Sequence, residues 1–407
     1  MIKIGIDKFI NDNPTDNCSD FRFEENDGWN EYPCHTGFVA QWFFNDNDLY
    51  QYVSTEEEDS FIYPINFKCF LNAFNITHSE CWENDISDLN PKETFLNYIP
   101  NHVLDKVRDG NVMILLNYGF EAYDSKDKDT ILYLENLLID KLNEMDIPIK
   151  NVFYTDANSS LDKSKIKIKS FSQNYTANCF YINEGEVGSN IDHFTLSDEQ
   201  IEKKKSSIIT KKYLCYNRRP KWHRKTMVDW LKDNEYLEDG YVSFPPNLTL
   251  DFEHSPNLVD EVCWAYHEIC HKHYDTSFFS IVNESLFGTF DTCTITEKTW
   301  KAVFNFHPFV IVGCRGALRY VREKGFDTFD DIFDSAYDDI VDKQKRIEKI
   351  FDTISYFLKN NSTSQLNDLR NDIFPRLTHN YKHFWGDFRN HVVDDFHDKI
   401  IKNLCTE

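Results

Sequence analysis

The sequence predicts an α/β protein of two Rossmann-like domains facing a cleft, with a helical tail at the C-terminus. Three observations carry that expectation. Apolar runs of strand length alternate with segments of helical period along most of the 407 residues. Between residues 111 and 155 a strand, a helix and a second strand follow one another, the βαβ order of a parallel sheet. After a polar stretch at 196–212 the same alternation begins again.

Residues 1–60 read as irregular, acidic and aromatic, and 61–110 as mixed, with a short apolar run at 61–70. Asn111–Asn117 (NVMILLN) reads as a buried strand, because its apolar run is unbroken. Thr130–Leu142 has helical period, Ile147–Thr155 is the next strand, and 178–182 is a further candidate strand. Residues 196–212 (LSDEQIEKKKSSIITKK) are expected to be a solvated linker between domains. Beyond it, strands are expected at Lys212–Tyr216, Phe278–Val282 and Phe309–Val312, and helices at His223–Leu231, Thr296–Phe304 and Ala317–Lys324. Helices at 338–359 and 364–371 and an amphipathic helix from about 381 to 403 complete the chain. The expected division is 1–200, with a regular core from about 111, then 205–375, then a tail at 376–407. At roughly 150 residues per domain the length agrees.

Composition narrows the class. The chain carries 44 Lys and Arg against 68 Asp and Glu, a net charge of −24, which repels anionic polymers and disfavours non-specific nucleic-acid binding. Its 34 Phe and 21 Tyr need buried places. No apolar stretch approaches the ~18 residues of a membrane span, so no stable membrane insertion is expected. The 11 cysteines contain no CxxC pair, which suits free thiols in a reducing compartment, so the expected location is cytoplasmic.

In doubly wound sheets ligands bind at the carboxyl ends of strands, so the segments after each expected strand carry the chemistry. Arg218, Arg219, Lys221, Arg224 and Lys225 place five cations within eight residues at the start of a helix. Such a loop reads as a diphosphate grip, since guanidinium groups and helix N-termini both suit phosphate, or as a solvated basic turn. After Phe278–Val282 come Asn283, Glu284 and Ser285, then Thr296, Glu297 and Lys298 at the start of the next helix. Thr296 suits an N-cap and Glu297 suits the first turn, whereas Lys298 and Lys301 oppose the macrodipole there unless an anion is bound. Gly313 and Gly316 bracket a turn after Phe309–Val312 that allows a close backbone approach.

The runs Phe278–Ser285, Ile295–Lys301 and His307–Gly313 resemble the donor-binding half of fucosyltransferase-like glycosyltransferases of the GT-B type. The helix from Arg224 to Leu231 resembles that family's Arg-led helix, and the likeness covers roughly residues 212–330. The family's Glu-Asn-Ser order stands here as Asn283-Glu284-Ser285. The wider chain looks similar to uncharacterised glycosyltransferase-like proteins of phages and large viruses, which would place it in a host cytoplasm.

The resemblance implies a nucleotide-diphosphate sugar as co-substrate. Arg224 and Lys298 would hold its diphosphate, with Arg218, Arg219, Asn283, Glu284 and Thr296 around them, and Glu297 would contact the sugar or ribose. It implies an inverting, metal-independent transfer and an acceptor that is a glycan, a protein or a modified nucleobase. A general base for the acceptor is expected in the first domain, with Glu121 the candidate and His35 and Glu57 behind it. Asp156 is isolated. Cys263, His267, Cys270, His271 and His273 share a helical spacing that reads as core packing or as a zinc site. Two other classes stand beside the enzyme: a non-catalytic carbohydrate- or partner-binding protein on the same scaffold, and a nucleotidyltransferase or kinase, which the lack of a GxxxxGK[ST] loop disfavours.

Overall fold

The computed structural model describes residues 2–6, 18–19, 34–35, 50–67, 94–118, 128–156, 169–172, 196–217, 220–244, 271–288, 293, 295–388 and most of 390–398. The expected strand at 178–182, Arg218, Arg219, Glu121, Cys263, His267 and Cys270 lie outside the described residues. The chain divides into two compact units, Met1–Ala177 with Val393–Glu407, and Asn178–Val392.

The first unit is built on a six-stranded sheet. Its members are β1 (Ile2–Ile6), β4 (Tyr50–Ser54), β5 (Phe61–Phe67), β6 (Val112–Tyr118), β7 (Val152–Asp156) and β8 (Lys169–Ser172). They lie in the order β4-β1-β5-β6-β7-β8, and every pairing is parallel. β2 (Cys18–Ser19) and β3 (Cys34–His35) form a separate antiparallel pair. Helix α1 (Asn101–Arg108) buries Val103, Leu104 and Val107, and α2 (Lys128–Glu144) adds Leu138 and Leu142 to the same core as Ile114 and Leu116.

β1, β4 and β8 were not expected. β1 and β4 lie in the segment read as irregular, because five-residue strands interrupted by Lys3, Gly5 and Gln51 have no apolar run. Gly5 has a packing reason: a Cβ there would stand 2.2 Å from the Phe61 ring on the neighbouring strand. The Lys106 ammonium donates to Thr55 O at 2.9 Å and Glu58 O at 2.7 Å, fixing the turn after β4.

The second unit has a four-stranded sheet of β9 (Lys211–Cys215), β10 (Gly240–Val242), β11 (Ser277–Asn283) and β12 (Phe309–Val312). Its order is β10-β9-β11-β12, again parallel throughout. All seven residues of the central strand β11 are buried, as in a covered parallel sheet, and so are all four of β12, although it is the edge strand.

The segment 196–212 is not a linker. Asp198–Lys205 forms helix α3, opened by Ser197, whose hydroxyl accepts from Gln200 N while the Gln200 side chain accepts from Ser197 N. Lys203, Lys204 and Lys205 fall in its last turn, where cations suit the helix dipole. Only Ile201 is buried, so the sequence shows no apolar stripe. Arg370, 3% exposed, anchors α3 by donating to Lys204 O at 2.7 Å, and it also reaches Ser207 O and Asp275 O.

Among the described residues the other α-helices are α4 (Trp222–Asp233), α5 (His271–Thr276), α6 (Glu297–Phe304), α7 (Ala317–Glu323), α8 (Lys343–Asn360) and α9 (Thr363–His383). The expected break near 371 is absent, and α9 continues through Pro375 into a wider turn at Phe384–Phe388. Tertiary packing of Ile373, Phe374 and Leu377 outweighs the one backbone bond that proline removes. Among the described residues no helix is long and apolar enough to cross a membrane.

Part of the aromatic content is housed around Trp300, whose ring lies 5.3–5.5 Å from those of Phe326, Phe384 and Phe388. Trp300→Ala empties that place and is expected to cost about 3–5 kcal/mol, read as a lower urea midpoint at unchanged m-value.

Candidate functional site

Strand order locates the crevice. The chain leaves β9 for β10 on one side and then crosses to β11 on the other. In open parallel sheets the carboxyl ends at such a reversal are where ligands bind. Here those ends are Asn217, after β9, and Asn283, Glu284 and Ser285, at the end of β11.

Glu284 organises this corner. It is 0% exposed and its carboxyl oxygens accept four hydrogen bonds. Oε1 takes Thr296 N at 3.0 Å and Thr299 Oγ1 at 2.5 Å, and Oε2 takes Thr296 Oγ1 at 2.5 Å and Ser285 N at 3.2 Å. The start of α6 is thereby tied to the end of β11. Gly313 belongs to the same arrangement. A Cβ there would stand 3.1 Å from Ile311 Cγ2 and 3.4 Å from Cβ and Cγ of Glu284, so the tight approach at this glycine is to Ile311, with the Glu284 stem in ordinary contact. The other expected feature of that turn, the start of α7, is taken by the Asp338 carboxyl, which accepts from Leu318 N at 3.0 Å and Arg319 N at 2.8 Å.

Three residues of the basic loop use the carbonyls at the end of β11. His223 donates from Nε2 to Glu284 O at 2.9 Å. The Arg224 guanidinium donates from Nη2 to Glu284 O at 3.1 Å and more weakly to Asn283 O at 3.4 Å. Lys221 Nζ reaches Ser285 O at 2.8 Å. From the other side Lys298 Nζ contacts Ser285 Oγ at 3.4 Å, Thr296 Oγ1 at 3.2 Å and Glu297 Oε1 at 2.6 Å. Arg224 and Lys298, from the first turns of α4 and α6, thus meet the same three residues at the end of β11.

Charge at this corner is graded by exposure. Arg224 is 4% exposed, Lys298 is half-buried and Lys221 is exposed. Burial pushes the His223 imidazole down to about 3, and the Arg224, Lys221 and Lys298 cations push the same way against its bond to Glu284 O. His223 is therefore neutral, with its proton on Nε2 and a lone pair on Nδ1. Burial alone would raise the Glu297 carboxyl, but Lys298 and Lys301 more than offset it and hold the group below the usual carboxylate range. Thr296 caps α6 as expected, its Oγ1 accepting from Lys298 N at 3.4 Å.

Two expected ligand contacts are placed differently. Glu284 is inaccessible and fully engaged, and Asn283, 1% exposed, turns its Nδ2 to Cys215 Sγ at 3.3 Å. Asn217 Nδ2 reaches the same sulfur at 3.4 Å. Burial pushes the Cys215 thiol up to about 12, so it stays protonated. The Glu284 carboxyl fixes the start of α6 and the Ser285 amide, the Asn283 amide bonds a buried thiol, and both side chains are turned away from solvent. The reason is local: in Asn283-Glu284-Ser285 the carboxylate falls beside Gly313 and faces α6. Lys221 and His223 sit in the basic run but do not stand out there, because their partners lie more than sixty residues away, on Ser285 and Glu284.

Of the expected bases, Glu57 is exposed in the turn after β4, and His35 is a residue of β3. Asp156 ends β7. His273 bonds the Tyr216 hydroxyl at 2.7 Å and stacks on Tyr241 at 4.3 Å. No protein family, curated protein or solved structure matches the chain.

Two predictions follow from this geometry. Glu284→Gln turns one acceptor into a donor facing hydroxyl and amide donors, and is expected to cost about 2–3 kcal/mol in urea unfolding. The buried rings of His223 and His307 are both lowered to about 3, so between pH 6.5 and 3 the unfolded chain binds protons that the folded chain refuses. Stability then falls with acidification, by up to about 1.4 kcal/mol per pH unit for each ring. A urea midpoint that stays flat from pH 6.5 to 4 would contradict this.

Proposed function

We propose that the chain is a glycosyltransferase of the GT-B type that takes a nucleotide-diphosphate sugar at the carboxyl ends of β9 and β11. The observation that carries the reading is the convergence of Lys221, Arg224 and Lys298 on the turn Asn283–Ser285. Cations drawn from the starts of two helices to the reversal point of a parallel sheet suit a ligand with two adjacent phosphates.

The chemistry follows from charge. A bond forms between the acceptor oxygen and the anomeric carbon while the bond from that carbon to the phosphate oxygen breaks. The electron pair leaves with the nucleotide diphosphate, and the acceptor proton passes to a base. Negative charge therefore grows on the diphosphate in the transition state. Lys221 and Lys298 reach the surface and contact it. The buried Arg224 adds its field from a region of low dielectric, where fixed charges act more strongly than in water. The neutral His223 adds no opposing charge and holds Glu284 O in place. The base is a carboxylate, with Glu121 its candidate from the sequence. The acceptor is a glycan, a protein or a modified nucleobase.

A second reading has one observation of its own. Glu297 already compensates Lys298 at 2.6 Å. A chain that only binds carbohydrate or a partner on this scaffold would need no more than that balance.

The test is release of nucleotide diphosphate from UDP-, GDP- and ADP-sugars offered with a panel of acceptors. Lys298→Ala is expected to lower kcat/KM about 100-fold, with partial recovery in Lys298→Arg, since a preorganised donor to a developing anion is worth that much. Full activity in Lys298→Ala would overturn the proposal. Binding of a nucleotide sugar with no release under any acceptor would establish the second reading.

A further inference from the structure

The basic loop carries one residue that the diphosphate reading does not use. Trp222, the first residue of α4, is 46% exposed, although an indole of that size is normally well covered. It stands between Lys221 and His223, at the edge of the cationic turn.

The ring is exposed but braced. Phe287 packs against it at 5.6 Å. Phe287 is itself fixed, stacked on His223 at 5.4 Å with an interplanar angle of 16°, and covered by the Arg346 guanidinium at 4.6 Å. Arg346, 1% exposed, is held in turn by Ile340 O at 2.8 Å and Gly288 O at 2.5 Å. A rigid pedestal therefore presents a large aromatic surface to solvent beside the phosphate-suited cations. The ammonium of Lys343, an exposed residue at the start of α8, lies over the ring at 5.4 Å.

We infer that Trp222 is the platform on which the nucleobase of the donor stacks, with Lys343 as its movable cover. This rests on the proposed function and names the part of the substrate that the cations leave unread. Every nucleobase has a flat π-face, and stacking on an exposed indole is stronger than the contact of an exposed lysine with the same ring. The incoming base therefore displaces the Lys343 ammonium. That ammonium, a donor only, then lies free to reach ring oxygens or nitrogens at the edge of the base. The indole anchors the nucleoside while Lys221 and Lys298 hold the phosphates, so the base sets affinity and the cations serve the reaction.

The experiment is calorimetric titration of the full chain with UDP, GDP, ADP and, as a probe lacking a base, inorganic pyrophosphate. Wild type, Trp222→Leu and Trp222→Phe are compared. Trp222→Leu is expected to weaken the best-bound nucleotide about 10-fold or more while pyrophosphate binds as in wild type, and Trp222→Phe is expected to keep most of the affinity. Equal nucleotide affinity in wild type and Trp222→Leu would overturn the platform and leave the glycosyltransferase reading standing. Parallel loss of nucleotide and pyrophosphate in Trp222→Leu would make the indole a packing residue and also overturn it. Wild type that binds neither nucleotide nor pyrophosphate would overturn both.

Discussion

The carboxyl group of Glu284 has no access to water, so every hydrogen bond it needs must come from the protein. It finds four, and three of them come from Thr296 and Thr299 at the start of α6. That demand joins the end of β11 to the beginning of the helix that carries Glu297 and Lys298. With the carboxyl turned inward, the backbone carbonyls of Asn283, Glu284 and Ser285 remain free to receive the basic loop. His223, Arg224 and Lys221 take them in turn. One buried group thus sets the position of cations that come from two stretches of chain.

Electrostatics at this corner depend on burial as much as on sequence charge. The chain has a formal charge of −24, yet the turn at 283–285 is met by three cations. His223 adds nothing to them, because desolvation keeps its ring neutral. Glu297 stays ionised despite burial because Lys298 and Lys301 stand beside it.

Much of the second unit was legible from residue pattern. The strands near 212–216, 278–282 and 309–312 and the helices between them follow from apolar runs and caps, and the structure places them within a few residues. Thr296 as an N-cap was readable for the same reason: its chemistry acts within one turn. Less legible were elements whose stability is tertiary. β1 and β4 are short, with no unbroken apolar run, and are held by pairing, β1 against β5 and β4 against β1. α3 carries a single buried residue, and α9 passes through Pro375 because its neighbours hold it. Among the site residues, Lys221 and Trp222 could not be ranked within a run of cations, since exposure and bracing are properties of the folded chain.

The sequence by itself determined the α/β alternation, the parallel pairing that βαβ order imposes, and the concentration of cations and hydroxyls after β9 and β11. These are consequences of periodicity and composition, which act over a few residues. Only the tertiary structure decided which way each of those side chains turns. It sent the Glu284 carboxyl inward and Lys221 outward, buried Arg224 on strand-end carbonyls, and left the Trp222 indole facing solvent. The reason is that desolvation and hydrogen-bond satisfaction are settled between groups as much as 64 residues apart in the chain and within about 3 Å in space.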